Sequence, residues 1–387
     1  MDAKDIAAKA EKYSKNVMRV EKALPPNPVQ EKLKVLVNQF KEAMPIVSAM
    51  RNDKLKESHW AEIKSLINKE FDINNPEFTL KSLLDLEVNQ FAEDITAIST
   101  QATQEHNLQL QLDAIDELWR KTTFNLGLDE KTECQILKDM DDIFTNLDES
   151  LANINMILGS RFVKPLREVA EKWKREILYL SDMVDEWLMC QKNWRYLANI
   201  FKAPDIKASL MEETKQFEGV DKFYRGLMSK TSKQSNCLKI VRAPPQNVLQ
   251  LLKDNNAVLD HVQKKLEDYM ELKRAAFPRF YFLSSDELID ILANSTNLDI
   301  IQGHLKTCFD NIVKLEIGDD GVEILAMQSN EKELVKFKKT RNARGQIEKW
   351  LNDVQEEMIA TLKFLLNTAN KEYPTMDRKN FVLEKKG

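Results

Sequence analysis

Apolar side chains return every three or four residues along most of this chain, and the breaks in that rhythm divide it into elements. Ile6, Ala10, Tyr13, Val17, Val20 and Leu24 follow a four-three spacing beside lysines, which predicts a helix over 5–24 with a narrow seam. Pro25-Pro26-Asn27-Pro28 stops it, because proline lacks the amide donor and restricts its predecessor. Helices follow over 29–50, bent at Pro45, and over 55–70, carrying His59 and Trp60, before a loop at 71–77 with Asn74-Asn75-Pro76 as its turn. A long helical stretch is expected over 79–125, through Leu83, Leu84, Leu86, Phe91, Ile95 and Trp119, with Gly127 ending it. The pattern resumes over 134–158 with Gly159 as C-cap, and again over 162–201, which carries Trp173, Trp187 and Trp194.

Pro204-Asp205 restarts helix, and a polar segment at 229–237 with Pro244-Pro245 marks a joint. Residues 246–276 read as one helix of roughly 46 Å, with Val248, Leu252, Asn255, Leu259, Val262, Leu266 and Tyr269 in line. Pro278 ends it, and Ser284 with Glu287 forms a capping box for the next helix. A further helix covers 298–310. The only clear period-two signal is Ile312–Ile317, a Gly318-Asp319-Asp320-Gly321 turn and Val322–Met327, with 333–338 as a possible third strand. A last helix spans 344–372 and Pro374 closes it. The predicted fold class is all-α: an elongated arch of long antiparallel helices and helical bundles with one small β-hairpin.

Composition sharpens this. Nine glycines and 11 prolines in 387 residues leave few tight turns. No two glycines are five apart, so GxxxxGK[ST] is impossible, and the spacing equally forbids GxGxxG and GxSxG. A net charge of −5 with interspersed signs argues against nucleic-acid binding. Cys134, Cys190, Cys237 and Cys308 are far apart and read as reduced thiols of a cytosolic compartment. The N-terminus has no signal-peptide pattern, and no run approaches a membrane span.

Several groups invite two readings. Lys332, Lys336, Lys338, Lys339, Arg341 and Arg344 are the densest basic stretch, either a solvated face or a contact for acidic loops. Phe277–Phe282 reads as a short extended segment packed inward, or else as a docking patch. The tryptophans, Trp194 and Trp350 among them, read as core. The 5–24 seam pairs with another chain or upstream segment, or lies on helix 29–50. The joint at 229–246 is a surface loop or a hinge within 229–260. Asp141-Asp142 and Glu356-Glu357 have no histidine partner or metal-ligand spacing, and read as solvated helix faces.

Specific residues carry a family resemblance. Phe277-Pro278-Arg279-Phe280-Tyr281-Phe282-Leu283-Ser284-Ser285-Asp286-Glu287-Leu288 resembles the FPRFYFLSNDELLEIL block of the dynein heavy chain linker, and Gly303–Phe309 and Lys314–Glu316 continue it. Cys190-Gln191-Lys192-Asn193-Trp194-Arg195-Tyr196-Leu197 resembles the family's CQRxWLYL segment, with Ile200-Phe201, Pro204–Ile206 and Phe217-xx-Val220-Asp221 following. Met44–Ile46, His59-Trp60, Glu105, Trp119, Ile347–Leu351 and Val354–Met358 also fit, collinearly over roughly 30–372, and the Glu105 segment resembles axonemal types. Arg195 departs from the family's usual Tyr or Leu.

The resemblance implies a division into a tail-junction helix (1–27), linker subdomains (28–130 and 131–243), and a lever helix with a third subdomain (244–311). A β-hairpin insertion (312–343) and a closing helix (344–387) complete it. The chain stops at Gly387, before any AAA+ module, so it is expected to be a piece of a larger polypeptide. It also implies a mechanical element that bends and straightens over the AAA+ ring to drive a power stroke on microtubules. The piece is expected to be no enzyme, with no cofactor of its own; ATP and Mg belong to the ring. Implied partners are that ring, through Lys336, Lys338, Lys339, Arg341 and Arg344, and the upstream tail with intermediate and light chains. The microtubule is reached only through a distant stalk, with no nucleic acid and no membrane. Trp194, Phe277, Pro278, Phe280, Phe282 and Trp350 are the family-motif core positions, and the implied location is cytoskeletal, in the axoneme of a cilium. The competing reading is a passive helical scaffold or tether for partner proteins.

Overall fold

The structure is a computed structural model that describes residues 3–23, 25, 27–69, 71, 79, 82–83, 88–243, 247–295 and 297–384. The expected turn at Asn74-Asn75-Pro76, the joint at Pro244-Pro245, and Leu24, Pro26, Leu84 and Leu86 lie outside the described residues. The described residues form 14 α-helices and two small antiparallel sheets, so the fold is mostly α with a minor β part. No helix among them is long and apolar enough to cross a membrane. The chain forms two compact units, residues 1–123 with 141–181 and residues 124–140 with 182–387.

The first unit begins with α1 (Ala3–Ala23) and α2 (Pro28–Met50). Asn27 caps α2 by accepting from the Gln30 amide at 2.9 Å, and Pro28 occupies the first turn, where no amide donor is needed. Of the two readings of the first seam, the intramolecular one holds. Ala10, Ser14 and Val17 are buried, while Lys41–Glu11 (2.8 Å) and Lys34–Glu21 (2.6 Å) bridge α1 and α2. Tyr13, expected in the seam, is 65% exposed, because a 3.6-residue period carries Ser14 onto the buried line instead.

Next come α3 (Glu57–Ile67), a 3₁₀ turn (Val88–Phe91), α4 (Ala92–Lys121) and α5 (Asp141–Gly159). Ile46, Ile63, Val88 and Ile95 form the centre of this core. Within it, the Lys56 amide donates to Nδ1 of His59 (3.1 Å), so Nε2 carries the proton and donates to the buried Glu105 carboxylate (3.0 Å). Gln101 donates to the second oxygen of Glu105 at 2.9 Å, and the Trp119 indole donates to Ser150 at 2.9 Å. These pairings explain why a polar residue stands on each buried face.

The second unit corrects the expected helix at 134–140. Cys134–Leu137 is a strand, β2, antiparallel to β1 (Leu126–Asp129) in the register Leu126↔Leu137. The helix α6 (Arg167–Ile200) supplies Gln191 to its edge. After α7 (Pro204–Ser209), α8 (Met211–Lys233) runs through most of the segment expected as a loop, and α9 (Cys237–Arg242) follows after three residues. The segment 229–246, read as a surface loop or as part of a hinge within 229–260, is therefore largely helix up to Arg242. Its polar residues are used as caps and ties: Thr231 donates to the Leu227 carbonyl, Asn236 caps α9, and the Ser235 carbonyl accepts from the Phe124 amide.

The long helix α10 (Val248–Ala276) buries Leu252, Asn256, Leu259, Val262, Leu266 and Met270. Asn256, rather than Asn255, lies on that line and donates to the Glu186 carbonyl at 2.9 Å. A 3₁₀ turn (Pro278–Phe282), α11 (Ser285–Ala293) and α12 (Leu298–Cys308) lead into the second sheet. Ser284 and Glu287 form the predicted capping box. The sheet has three strands in sequence order, β3 (Ile312–Ile317), β4 (Glu323–Ser329) and β5 (Leu334–Asn342). Gly321 adopts φ +69° in the β3–β4 turn, a conformation that glycine reaches without strain. The chain continues through α13 (Ile347–Glu372), a 3₁₀ turn (Tyr373–Thr375) and α14 (Arg378–Glu384).

Candidate functional site

The basic strand β5 is irregular where its charge is densest. Ile324 pairs with Arg341 and Ala326 with Lys336, so residues 337–340 bulge outward against the single residue between Ile324 and Ala326. A bulge removes amides from the ladder, and those amides need other acceptors. Helix α13 provides them. The Lys338 amide donates to the Thr361 hydroxyl (3.1 Å) and the Lys339 amide to Oε1 of Glu357 (3.0 Å). Arg341 donates to Oε2 of Glu357 at 3.0 Å. Glu357 is only 2% exposed, which corrects its reading as part of a solvated face. Burial opposes its ionisation, but the Lys339 amide, the Arg341 guanidinium and the Thr361 hydroxyl outweigh that and hold its carboxyl below the ordinary value.

The five cations therefore divide. Arg341 is committed to Glu357, and the Lys338 ammonium lies 4.6 Å from the centre of the Phe364 ring. Lys336, Lys339 and Arg344 are exposed. The stretch is neither wholly a solvated face nor wholly free for a partner.

The aromatic block anchors the other end of α13. It is a 3₁₀ turn rather than an extended segment, and its period of three decides what is buried. Phe277, Phe280 and Leu283 face inward at 0%, 0% and 3% exposure. Phe282 is 67% exposed, so it is not core, and Pro278 is also exposed, where its fixed φ opens the turn. Arg279 does the tying. It donates to Gln355 of α13 (2.6 Å) and to the Cys308 carbonyl (3.1 Å), and lies over the Phe309 ring. Beside it, Lys273 of α10 pairs with the buried Glu348 at 2.6 Å, and Trp350 is buried next to that pair in sequence.

Trp194 is fully buried, stacked on Tyr224 with centroids 4.2 Å apart, and its indole donates to Asp221 at 2.9 Å. The departure at Arg195 has a local use: it pairs with Asp129 at the end of β1. Burial opposes ionisation of Asp129, and Thr132 and Arg195 reverse the effect, so its carboxyl also sits low.

Sequence reasoning named Glu357, Arg279 and Gln191 but missed the contacts they make. A signal for the first was present: Trp350, Val354, Glu357 and Thr361 share one helical line, so Glu357 falls on an apolar face. Nothing in the sequence marked the bulge that needs it.

Residues 1–369 match the family described as "Dynein heavy chain, N-terminal region 2". The chain is 38% identical over 402 residues to human dynein axonemal heavy chain 6, covering 99% of this chain and 10% of that protein. It is 35% identical to human dynein axonemal heavy chain 3, covering 93% of this chain and 9% of the relative. A relative from Chlamydomonas reinhardtii, the dynein-1-beta heavy chain of the flagellar inner arm I1 complex, is 31% identical over 98% of this chain and 8% of its own length. The chain thus spans about a tenth of the length of these relatives. Matched along nearly its whole length, this chain belongs to the dynein heavy chain family and is of the axonemal type.

Proposed function

We propose that the chain is the mechanical linker element of an axonemal dynein heavy chain. It works in the axoneme of a cilium, moving as a stiff body against the ATPase ring of the same heavy chain to drive motion along microtubules. The observation that carries this reading is the Glu357 node. It makes the basic strand and α13 one body, bonded through two backbone amides and a guanidinium. A packed body tied this way transmits displacement rather than absorbing it. In this reading nucleotide chemistry lies elsewhere in the heavy chain, and the glycine spacing, which forbids a P-loop here, supports it. ATP and Mg, the upstream tail and the associated chains belong to this proposal in the same way.

The exposed cations Lys336, Lys339 and Arg344 are the proposed ring contact, with Lys338 and Arg341 holding the strand in place. Reversing the charge of Lys336, Lys339 and Arg344 in the intact heavy chain is expected to slow microtubule gliding at low salt, with ATP turnover retained. Unchanged velocity removes the contact. A passive scaffold is the competing reading, and it predicts instead a partner that is retained by the 387-residue chain without any ring.

A further inference from the structure

One cleft in the second unit lies apart from the Glu357 and Arg279 ties described above. It opens between α8, α9 and the start of α10, with a volume of about 340 Å³, at the small end of ligand clefts. Leu227, Ile240, Val248 and Leu251 supply apolar walls. Lys222, Lys230 and Lys239 stand on its rim, all exposed, and none has an acidic partner among the described residues. Their neighbour Arg225 is different: it is paired with Asp221 at 2.9 Å. Three positive charges without an acidic partner among the described residues therefore ring the cleft.

The α8 side of the cleft carries a second observation. Gly226 also lines it, well inside α8, where glycine is a poor helix former. A Cβ built there meets nothing within 4 Å, so no crowding inside the protein calls for glycine. Lys222, Gly226 and Lys230 follow one line of the helix at four-residue steps, with about 12 Å between the two lysine positions and the glycine midway. Open space over a glycine, bracketed by cations and flanked by apolar walls, suits the close approach of another backbone.

We propose that this cleft docks an acidic amphipathic helix of a partner polypeptide, crossing α8 at Gly226. An apolar side chain of that helix enters between Leu227, Ile240 and Leu251, and its flanking carboxylates meet Lys222, Lys230 and Lys239. Charge complementarity selects this occupant. A single fatty-acid carboxylate matches one ammonium group and leaves two unmatched, whereas a helix with glutamates on both flanks matches all three.

The test uses the 387-residue chain and a fluorescein-labelled 16-residue helical peptide, with leucines at helical spacing and glutamates on both flanks, read by fluorescence anisotropy. The glutamate peptide is expected to bind at least tenfold more tightly than its lysine-flanked counterpart, and more weakly in 0.5 M salt. Gly226→Leu abolishes binding while the helical circular dichroism is retained and the melting midpoint does not fall, since leucine is the better helix former. The triple variant K222E/K230E/K239E, which alters only exposed positions, reverses the preference between the two peptides. Equal binding of the two peptides, no binding of either, or binding insensitive to both variants overturns the proposal. Gly226-dependent binding of dodecanoate without peptide binding also overturns it, by assigning the cleft to a small anion.

Discussion

The two small sheets solve the same problem with different chemistry. Each ends on a strand that no further strand covers among the described residues, and each is closed by side chains from a helix. On β2, Gln191 takes the place of a missing strand. Its Oε1 accepts from the Leu137 amide (2.8 Å) and its Nε2 donates to the Leu137 carbonyl (3.0 Å), while the Tyr224 hydroxyl donates to Oε1 at 2.8 Å. On β5, the closing groups are the Glu357 carboxylate and the Thr361 hydroxyl. A regular edge residue presents both a donor and an acceptor, and an amide satisfies both. A bulge that turns two successive amides outward presents donors, and a carboxylate suits donors alone. The second solution brings charge with it, and so a dependence on pH that the first lacks.

The largest effect should come from the neutral closure. Gln191→Leu strands the Leu137 amide and carbonyl and the Tyr224 hydroxyl in a buried site. It is expected to cost about 3 kcal/mol or more, read as a lower urea midpoint. Glu357→Ala leaves the Lys339 amide and Arg341 without their acceptor, but Arg341 is one-third exposed and water compensates it in part. About 2 kcal/mol at neutral pH is expected.

The pH profiles then separate the two closures. Because the folded-state carboxyl of Glu357 sits low, its contribution is complete above the unfolded-state value and disappears as pH falls through the folded-state value. The deficit of Glu357→Ala should therefore shrink below about pH 4, while that of Gln191→Leu stays constant. Parallel profiles would show that the carboxylate is not what closes β5. The smallest effect is expected at Phe282. With its ring 67% exposed, Phe282→Ser should shift stability by less than about 0.5 kcal/mol, measured by thermal melting.

The long helices and the three-stranded sheet were legible because period and punctuation agree there. The capping box at Ser284 falls where physical chemistry places it, whereas Pro28, read as part of the stop of the first helix, opens the second. The β1–β2 hairpin was not legible, since Cys134–Leu137 is apolar enough to read as the first turn of α5 and its edge partner Gln191 lies 54 residues away. The aromatic block misled for a related reason. Phe280 and Phe282 alternate like a strand, but a proline-started turn of period three buries Phe277 and Phe280 and turns Phe282 out. At the candidate site the charges were visible, while their division was not. Whether a lysine faces solvent or an aromatic ring depends on a bulge formed between β4 and β5, and pairings at that range are not encoded by local spacing.

The central claim is that this chain acts by stiffness, and the most direct test is Glu357→Gln in the intact heavy chain. The substitution keeps the shape of the side chain but removes the charge that holds Arg341 and the bulge against α13. Gliding velocity and ATP turnover should be measured on the same preparation. The account predicts a several-fold loss of velocity with turnover retained, the signature of a loosened lever on a working engine. Unchanged velocity, or a proportional fall of both, would contradict it.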